Sequence, residues 1–322
     1  MKKTFFKKLT QTTIAIFAIM LATLSCKKDN DTIIAPKEIY TSVADFYKQN
    51  GVQSQNFTVN AATGGSFTTA KGTIIRVPAN AFINNMGNLI TGNVNIEFKD
   101  IYSKADMLLS DKPTITSWGT PLKSAGEFFI TAKVNGNAIR LNGVNPIEVV
   151  QPAKEAVDTL MQPFVANIDS AKNGGFAWGN GGQFGNVRDS VNSYIFSLYT
   201  FKSPIDSGTW CNSDNQYFFN NYPQTVLTLH PIDAVDSFRT DVFLVFKTVN
   251  SMIHVYKDFS NPQNFTYYYA PVGLQCTVVA IGIKNGVLYS SFTPTTITAN
   301  QTINFSLTAT TTADFVAAIK LL

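Results

Sequence analysis

The chain has 322 residues, of which 45% are hydrophobic and 12% aromatic but only 14% charged. This length suits two domains plus a leader, and so little charge excludes a charge-rich disordered chain, a long coiled coil and a strongly basic nucleic-acid binder. The net charge of +4 belongs to the leader, where Lys2, Lys3, Lys7 and Lys8 stand without an acid; beyond residue 25 basic and acidic residues balance, and Arg76, Arg140, Arg188 and Arg239 are scattered.

Residues 1–25 read as a secretory signal. The four lysines form its positive start, and Ile14 to Leu24 form an apolar run of 11 residues. That run is too short for a membrane span, which needs about 20 residues, and has the length of a signal core. The stretch Leu21-Ala22-Thr23-Leu24-Ser25-Cys26 resembles a bacterial lipobox, with Thr23 where that family usually has Leu. The resemblance implies cleavage before Cys26, lipidation of its thiol and amine, and an anchor in the outer membrane of a Gram-negative cell. Several acyl chains hold firmly where one is marginal. The following Lys27-Lys28-Asp29-Asn30-Asp31 resembles the export signal of surface-exposed lipoproteins, which favours surface display over a periplasm-facing position.

Residues 26–56 are expected to hold the lipidated cysteine, a polar tether and one short helix over 42–50. Ser42 and Asp45 make its cap, Val43, Phe46 and Tyr47 share a face, and Gly51 ends it. From Phe57 the period changes to two. Val94, Ile96 and Phe98 alternate with Asn95 and Glu97, the pattern of a half-buried antiparallel strand. Asn135-Gly136, Asn142-Gly143 and Asn285-Gly286 are hairpin signals. Pro78–Phe82 reads as one helical turn and 153–161 as a short helix. The Pro- and Gly-rich stretch 152–192 reads as a connector without phosphate-loop spacing. Strand patterns resume at 193, and 312–320 suits a terminal helix. The expected fold is all-β, with two β-sandwich (Ig-like) domains over 57–151 and 193–322.

The run Gly64-Gly65-Ser66-Phe67, then Gly72 to Phe82, then Gly92 to Ile96 resembles the opening of the β-sandwich domain shared by ankyrins and netrin receptors. Residues 104–110 and 124–130 extend a likeness to uncharacterised bacterial surface lipoproteins. The first resemblance implies a sandwich, the second an envelope address, and neither implies an activity.

Sites are sparse. The only histidines are His230 and His254, and no His-Glu-x-x-His, Cys/His cluster or Gly-x-Ser-x-Gly stands in the chain. No catalytic residue, metal ligand or cofactor is assigned. Carboxylate pairs such as Glu97 with Asp100, or Asp233 with Asp236, keep a glycan-active hydrolase as the alternative function. Tyr217, Tyr267 and Tyr269 are candidate rings for stacking on a ligand; in a regular strand Tyr267 and Tyr269 share a face, which is either core or rim. Cys211 and Cys276 are either a disulfide, stabilising by about 4 kcal/mol, or two buried thiols. Thr32, Thr159, Ser170 and Ser190 follow aspartates in triplets resembling O-glycan acceptors of some Gram-negative envelopes. The leading expectation is a membrane-anchored surface lipoprotein, a non-catalytic binding or structural module whose partners are the membrane, through its lipid, and a glycan or envelope protein. Nucleic acid is not expected. A binding module needs exposed rings or a free sheet edge; a hydrolase needs a cleft with two convergent carboxylates.

Overall fold

A computed structural model describes residues 39–166, 175–202, 208–233 and 240–322. The leader, Cys26, Thr32 and Ser170 lie outside the described residues.

The chain opens with helix α1 (Val43–Asn50), capped as its sequence suggests: Ser42 Oγ accepts from Asp45 N at 3.1 Å. Strands β1 (Gln55–Asn60), β2 (Gly65–Thr68), β3 (Ile74–Val77), β4 (Phe82–Ile83) and β5 (Asn93–Ile101) follow, then the short helix α2 (Lys104–Leu109). Next come β6 (Lys123–Val134), β7 (Asn137–Ala138), β8 (Arg140–Leu141), β9 (Ile147–Pro152), β10 (Gln162–Ala166), β11 (Trp178–Asn180), β12 (Gly185–Ser190), β13 (Ser193–Leu198) and β14 (Thr209–Asn215). The remainder comprises β15 (Gln224–Pro231), β16 (Thr240–Phe246), β17 (Met252–Val255), β18 (Phe265–Pro271), β19 (Gln275–Lys284), β20 (Val287–Thr296), β21 (Gln301–Phe305), β22 (Thr308–Ala309) and helix α3 (Thr312–Ile319). The fold is all-β.

Two sandwiches result. In the first, a sheet ordered β1-β5-β6-β14-β10-β11 faces one ordered β12-β13-β9-β3-β2. Val94, Ile96 and Phe98 of β5 and Phe128 and Ile130 of β6 meet Ile75, Val149 and Phe196 from the other sheet. In the second, β18-β15-β21 faces β17-β16-β19-β20-β22, with Leu227, Leu229, Val242, Leu244 and Val278 between them. Every residue of β16 is buried. Its even-numbered side chains fill the sandwich, while Phe243 and Val245 point to a third layer made by the helices. A strand covered on both faces reads as a continuous apolar run, and Val242 to Phe246 does. Helix α1 is too short to persist alone. It is held by burying Val43, Phe46 and Tyr47, with the Phe46 ring edge-on to Tyr40, Tyr47 and Phe315. A buried Phe contributes roughly 1.5–3 kcal/mol.

Several expectations are corrected. The stretch 152–192 is not a connector, and the second sandwich does not begin at 193. Strands β10 and β11 extend the first sheet through β14, β12 pairs with β13, and β13 pairs with β9. Glu38–Leu322 cluster as one compact unit. Residues 78–82 form a turn around Asn80, whose φ is 60°, leading into β4, and 153–161 contain no helix. Asn135-Gly136 and Asn285-Gly286 do close hairpins with both residues at positive φ, but Asn142 instead folds an Asx turn, accepting from Val144 N and Asn145 N. Of the two alternatives left open for Cys211 and Cys276, the structure has the buried thiols: both are free, one in each sandwich core. Because β14 belongs to the first sandwich, the two cysteines sit in different layers of the molecule.

Candidate functional site: an aromatic cleft at the junction

Two segments of the first half reach the second sandwich. Residues 115–121 form a hairpin-like turn in which Gly119 N donates to Thr116 O at 3.0 Å and Thr120 N to Thr116 Oγ1 at 2.8 Å. This places Trp118 at the tip, half exposed. Beside it runs residue 175 onward into β11, anchored by Trp178, whose indole Nε1 donates to Pro113 O at 2.8 Å. These segments meet the end of β17 and the start of β18 around a cleft of about 540 Å³.

The cleft wall is aromatic. Phe176, Tyr256, Tyr267, Tyr268, Tyr269 and Phe259 line it, and no Asp or Glu does. Phe259 is 95% exposed, Tyr268 57% and Tyr269 45%. Their placement rests on a β-bulge. In the β15–β18 ladder Leu227 pairs with Tyr267 and Thr225 with Ala270, so Tyr268 and Tyr269 together oppose Val226. A bulge bends the strand and re-aims its side chains. Here it breaks the alternation expected of Tyr267 and Tyr269. Tyr267 goes to the core and donates its hydroxyl to Gly119 O at 3.0 Å, while both neighbours face out. The Tyr267 and Tyr269 rings remain edge-to-face at 6.3 Å. Burial, then the neighbouring Tyr269, pushes the Tyr267 hydroxyl well above the usual range, so it stays a neutral donor.

Phe259 is presented by the 258–264 loop. Asp258 Oδ1 accepts from Ser260 N at 2.8 Å and Ser260 Oγ at 2.6 Å, and Asn264 N closes on Asn261 O. Those bonds, led by the Ser260 hydroxyl, hold the Asp258 carboxyl down to about 2. Tyr268 Oη donates to its second oxygen at 3.4 Å, tying the loop to the exposed ring.

His254 is the one histidine in the wall. Its Nδ1 lies 3.3 Å from Asp111 Oδ1 and its Nε2 3.7 Å from Asp241 Oδ1. Tyr256 stacks on the imidazole with centroids 4.5 Å apart. With a carboxylate facing each ring nitrogen, the imidazole has no free edge with which to activate a nucleophile. It orders the wall. Tyr256 in turn packs on Gly175, where a Cβ would lie 1.5 Å from the tyrosine hydroxyl.

Of the rings singled out by sequence, Tyr269 lines the cleft exposed, Tyr267 lines it from the core, and Tyr217 is exposed but not among the lining residues. Tyr268, placed by period two on the face opposite Tyr267 and Tyr269, lines the cleft beside Tyr269, and Phe259 and Phe176 join them without having been singled out, because isolated aromatics in loops carry no periodic signal. Of the carboxylates weighed for a hydrolase, Asp236 lies outside the described residues and none of the other three lines the cleft: Glu97 pairs with Lys133, and Asp100 is buried beneath Thr69 and Thr73. Asp233 donates nothing to the cleft and accepts from Leu307 N. Glu127 and Asp214, which face each other in effect, are both fully closed to solvent. Thr159 and Ser190 are exposed, on a loop and at the β12–β13 hairpin. Among the described residues no group of three or more His, Cys, Asp and Glu is placed to hold a metal, and no helix is long and apolar enough to cross a membrane. The chain matches no protein-family model and no curated protein.

Proposed function

We propose that this protein is an exported lipoprotein, anchored to the outer membrane through Cys26 and displayed at the cell surface, whose sandwich unit binds carbohydrate non-catalytically in the aromatic cleft. The observation that carries the binding half is the set of exposed rings, Tyr268, Tyr269 and Phe259, around a cleft with no acid in its wall. Rings with an apolar face and a polar edge suit sugar rings, which alternate C–H faces with hydroxyls. The anchoring half rests on the positive leader, the apolar run of 11 residues and Cys26 directly after it. Exposed Thr159 and Ser190 suit glycan acceptors on a displayed protein.

Binding is tested by affinity electrophoresis of the purified chain in gels containing soluble polysaccharides, against the Y268A/Y269A variant. Retardation that the variant loses at least about tenfold supports the cleft. Equal retardation of both, or none across plant, fungal and bacterial polysaccharides, overturns it. Anchoring is tested by fractionating cells that express Cys26→Ser: release of the protein from membranes is expected, and unchanged membrane retention rules the lipid anchor out.

A further inference from the structure

A second pocket, of about 220 Å³, lies at the same junction but shares no wall with the aromatic cleft. Its lining brings together four lysines from four separate segments: Lys104 at the start of α2, Lys123 at the start of β6, Lys154 after β9, and Lys247 after β16. Lysines lining so small a pocket bring positive charge to it that charge of the other sign would offset. The protein supplies only part of it. Asp158 pairs with Lys123 at 3.0 Å, and Glu155 is the acid nearest in effect to Lys104. Among the described residues Lys154 and Lys247 form no ion pair. Four lysines against Asp158 and Glu155 leave a surplus of two positive charges.

The lysines are also positioned. Lys104 Nζ donates to Phe246 O at 2.6 Å and Lys247 O at 3.1 Å, which fixes the ammonium and leaves it one further proton to give. Lys154 Nζ stands 5.1 Å over the Tyr102 ring. Asn250 donates its amide to Tyr102 O and Ser124 O, bracing the pocket wall across both sandwiches. Burial holds the Lys104 ammonium below the ordinary lysine range, so an anion beside it would relieve a strain already present.

We propose that this pocket binds the phosphate group of a phosphomonoester. Such a group carries close to two negative charges at neutral pH and three strong acceptor oxygens, matching the surplus and the donors. The volume equals that of about seven waters at about 30 Å³ each, enough for a phosphate and a few further atoms but not for an oligosaccharide. The site is independent of the aromatic cleft.

The test is calorimetric titration of the purified full chain, at low ionic strength, with inorganic phosphate and with glycerol 3-phosphate. Saturable binding with a Kd of about 1 mM or tighter is expected. The K154A/K247A variant, which alters two exposed side chains, should weaken it at least about tenfold. The control K48A/K320A removes the same net charge elsewhere and should bind as the parent does. Equal weakening by both variants, no weakening by K154A/K247A, or no saturable binding overturns the proposal. A parallel arm with phosphatidic acid vesicles against phosphatidylcholine vesicles identifies the source. Selective vesicle binding that K154A/K247A loses assigns the phosphate to a lipid headgroup; binding of glycerol 3-phosphate without it assigns a soluble ester. Retention of phosphate binding by Y268A/Y269A separates this site from the carbohydrate reading.

Discussion

Glu127 lies directly opposite Asn212 across the β6–β14 ladder, yet the Asn212 amide is given to Asp214 at 2.7 Å. Both Glu127 carboxyl oxygens are buried without a hydrogen bond among the described residues. Burial, then the neighbouring Asp214, raises the Glu127 pKa well above the ordinary range; burial does the same for Asp214. Lys112 acts in the opposite sense on Glu127, from a position under the Phe176 and Trp210 rings.

A carboxyl with a raised folded pKa keeps its proton where the unfolded chain has lost it, so stability falls as pH rises above about 4.3, by up to about 1.4 kcal/mol per pH unit per group. The loss continues until the folded pKa is passed. Glu127→Gln keeps the shape and removes the proton exchange. Its urea midpoint should therefore depend less steeply on pH between about 4.5 and 8. Parallel curves for the two proteins would show that Glu127 is ionised in the fold.

Trp178 is fully buried with Leu122, Phe164 and Ala166 and ties β11 to the Pro113 carbonyl. Trp178→Phe keeps most of the packing but strands that carbonyl, and should cost about 1–3 kcal/mol. Trp178→Ala should cost about 3–5 kcal/mol. Urea unfolding measures both, and a Phe variant as stable as the parent would remove the hydrogen bond from the account.

Gly126 sits within β6 at φ 139°, and a Cβ there would lie 2.5 Å from the Tyr102 ring. Gly126→Ala meets both a forbidden backbone region and a rigid side chain, so a loss of about 2 kcal/mol or more is expected in the same unfolding assay. The double variant with Tyr102→Ala restores the space and not the dihedral. Full recovery there would mean that the backbone at Gly126 is unstrained.

The two core thiols give a chemical check on the fold. Burial pushes Cys276 up to about 12 and Cys211 well above its ordinary value. In a Cys26→Ser chain neither should react with a thiol reagent at pH 8 while folded, and both should react in denaturant without any reductant. Absence of free thiols in the denatured, unreduced chain would restore the disulfide.

Much of this fold is legible in the residues. Ser42 and Asp45 fix the start of α1, the alternation of β5 assigns its inner face, and Val242 to Phe246 announces a strand covered on both sides. What escapes the sequence is set by partners far along the chain. Strand β14 lies in the stretch that reads as the second sandwich, and only its pairing with β6 and β10 places Cys211 in the first core. The bulge at Tyr268 and Tyr269 depends on Val226 in another strand, so period-two reading puts Tyr267 with Tyr269. Glu127 reads as an ordinary outward acid of a strand; its burial depends on groups distant in sequence, among them Asp214 and Lys112, which is held against the Phe176 and Trp210 rings.

Tyr40 Oη and Thr312 Oγ1 meet at 2.7 Å, 272 positions apart in the chain, where α1 and α3 close over the second sandwich. Synthesis delivers the earlier of these residues first. Helix α1 therefore emerges with Phe46 and Tyr47 uncovered, and its seat on β16 and β19 exists only once nearly all of the chain has followed. The last contact to form is one of the first written. The interval between is when this chain is most open to aggregation, and a helper that shields this one short helix would protect the whole.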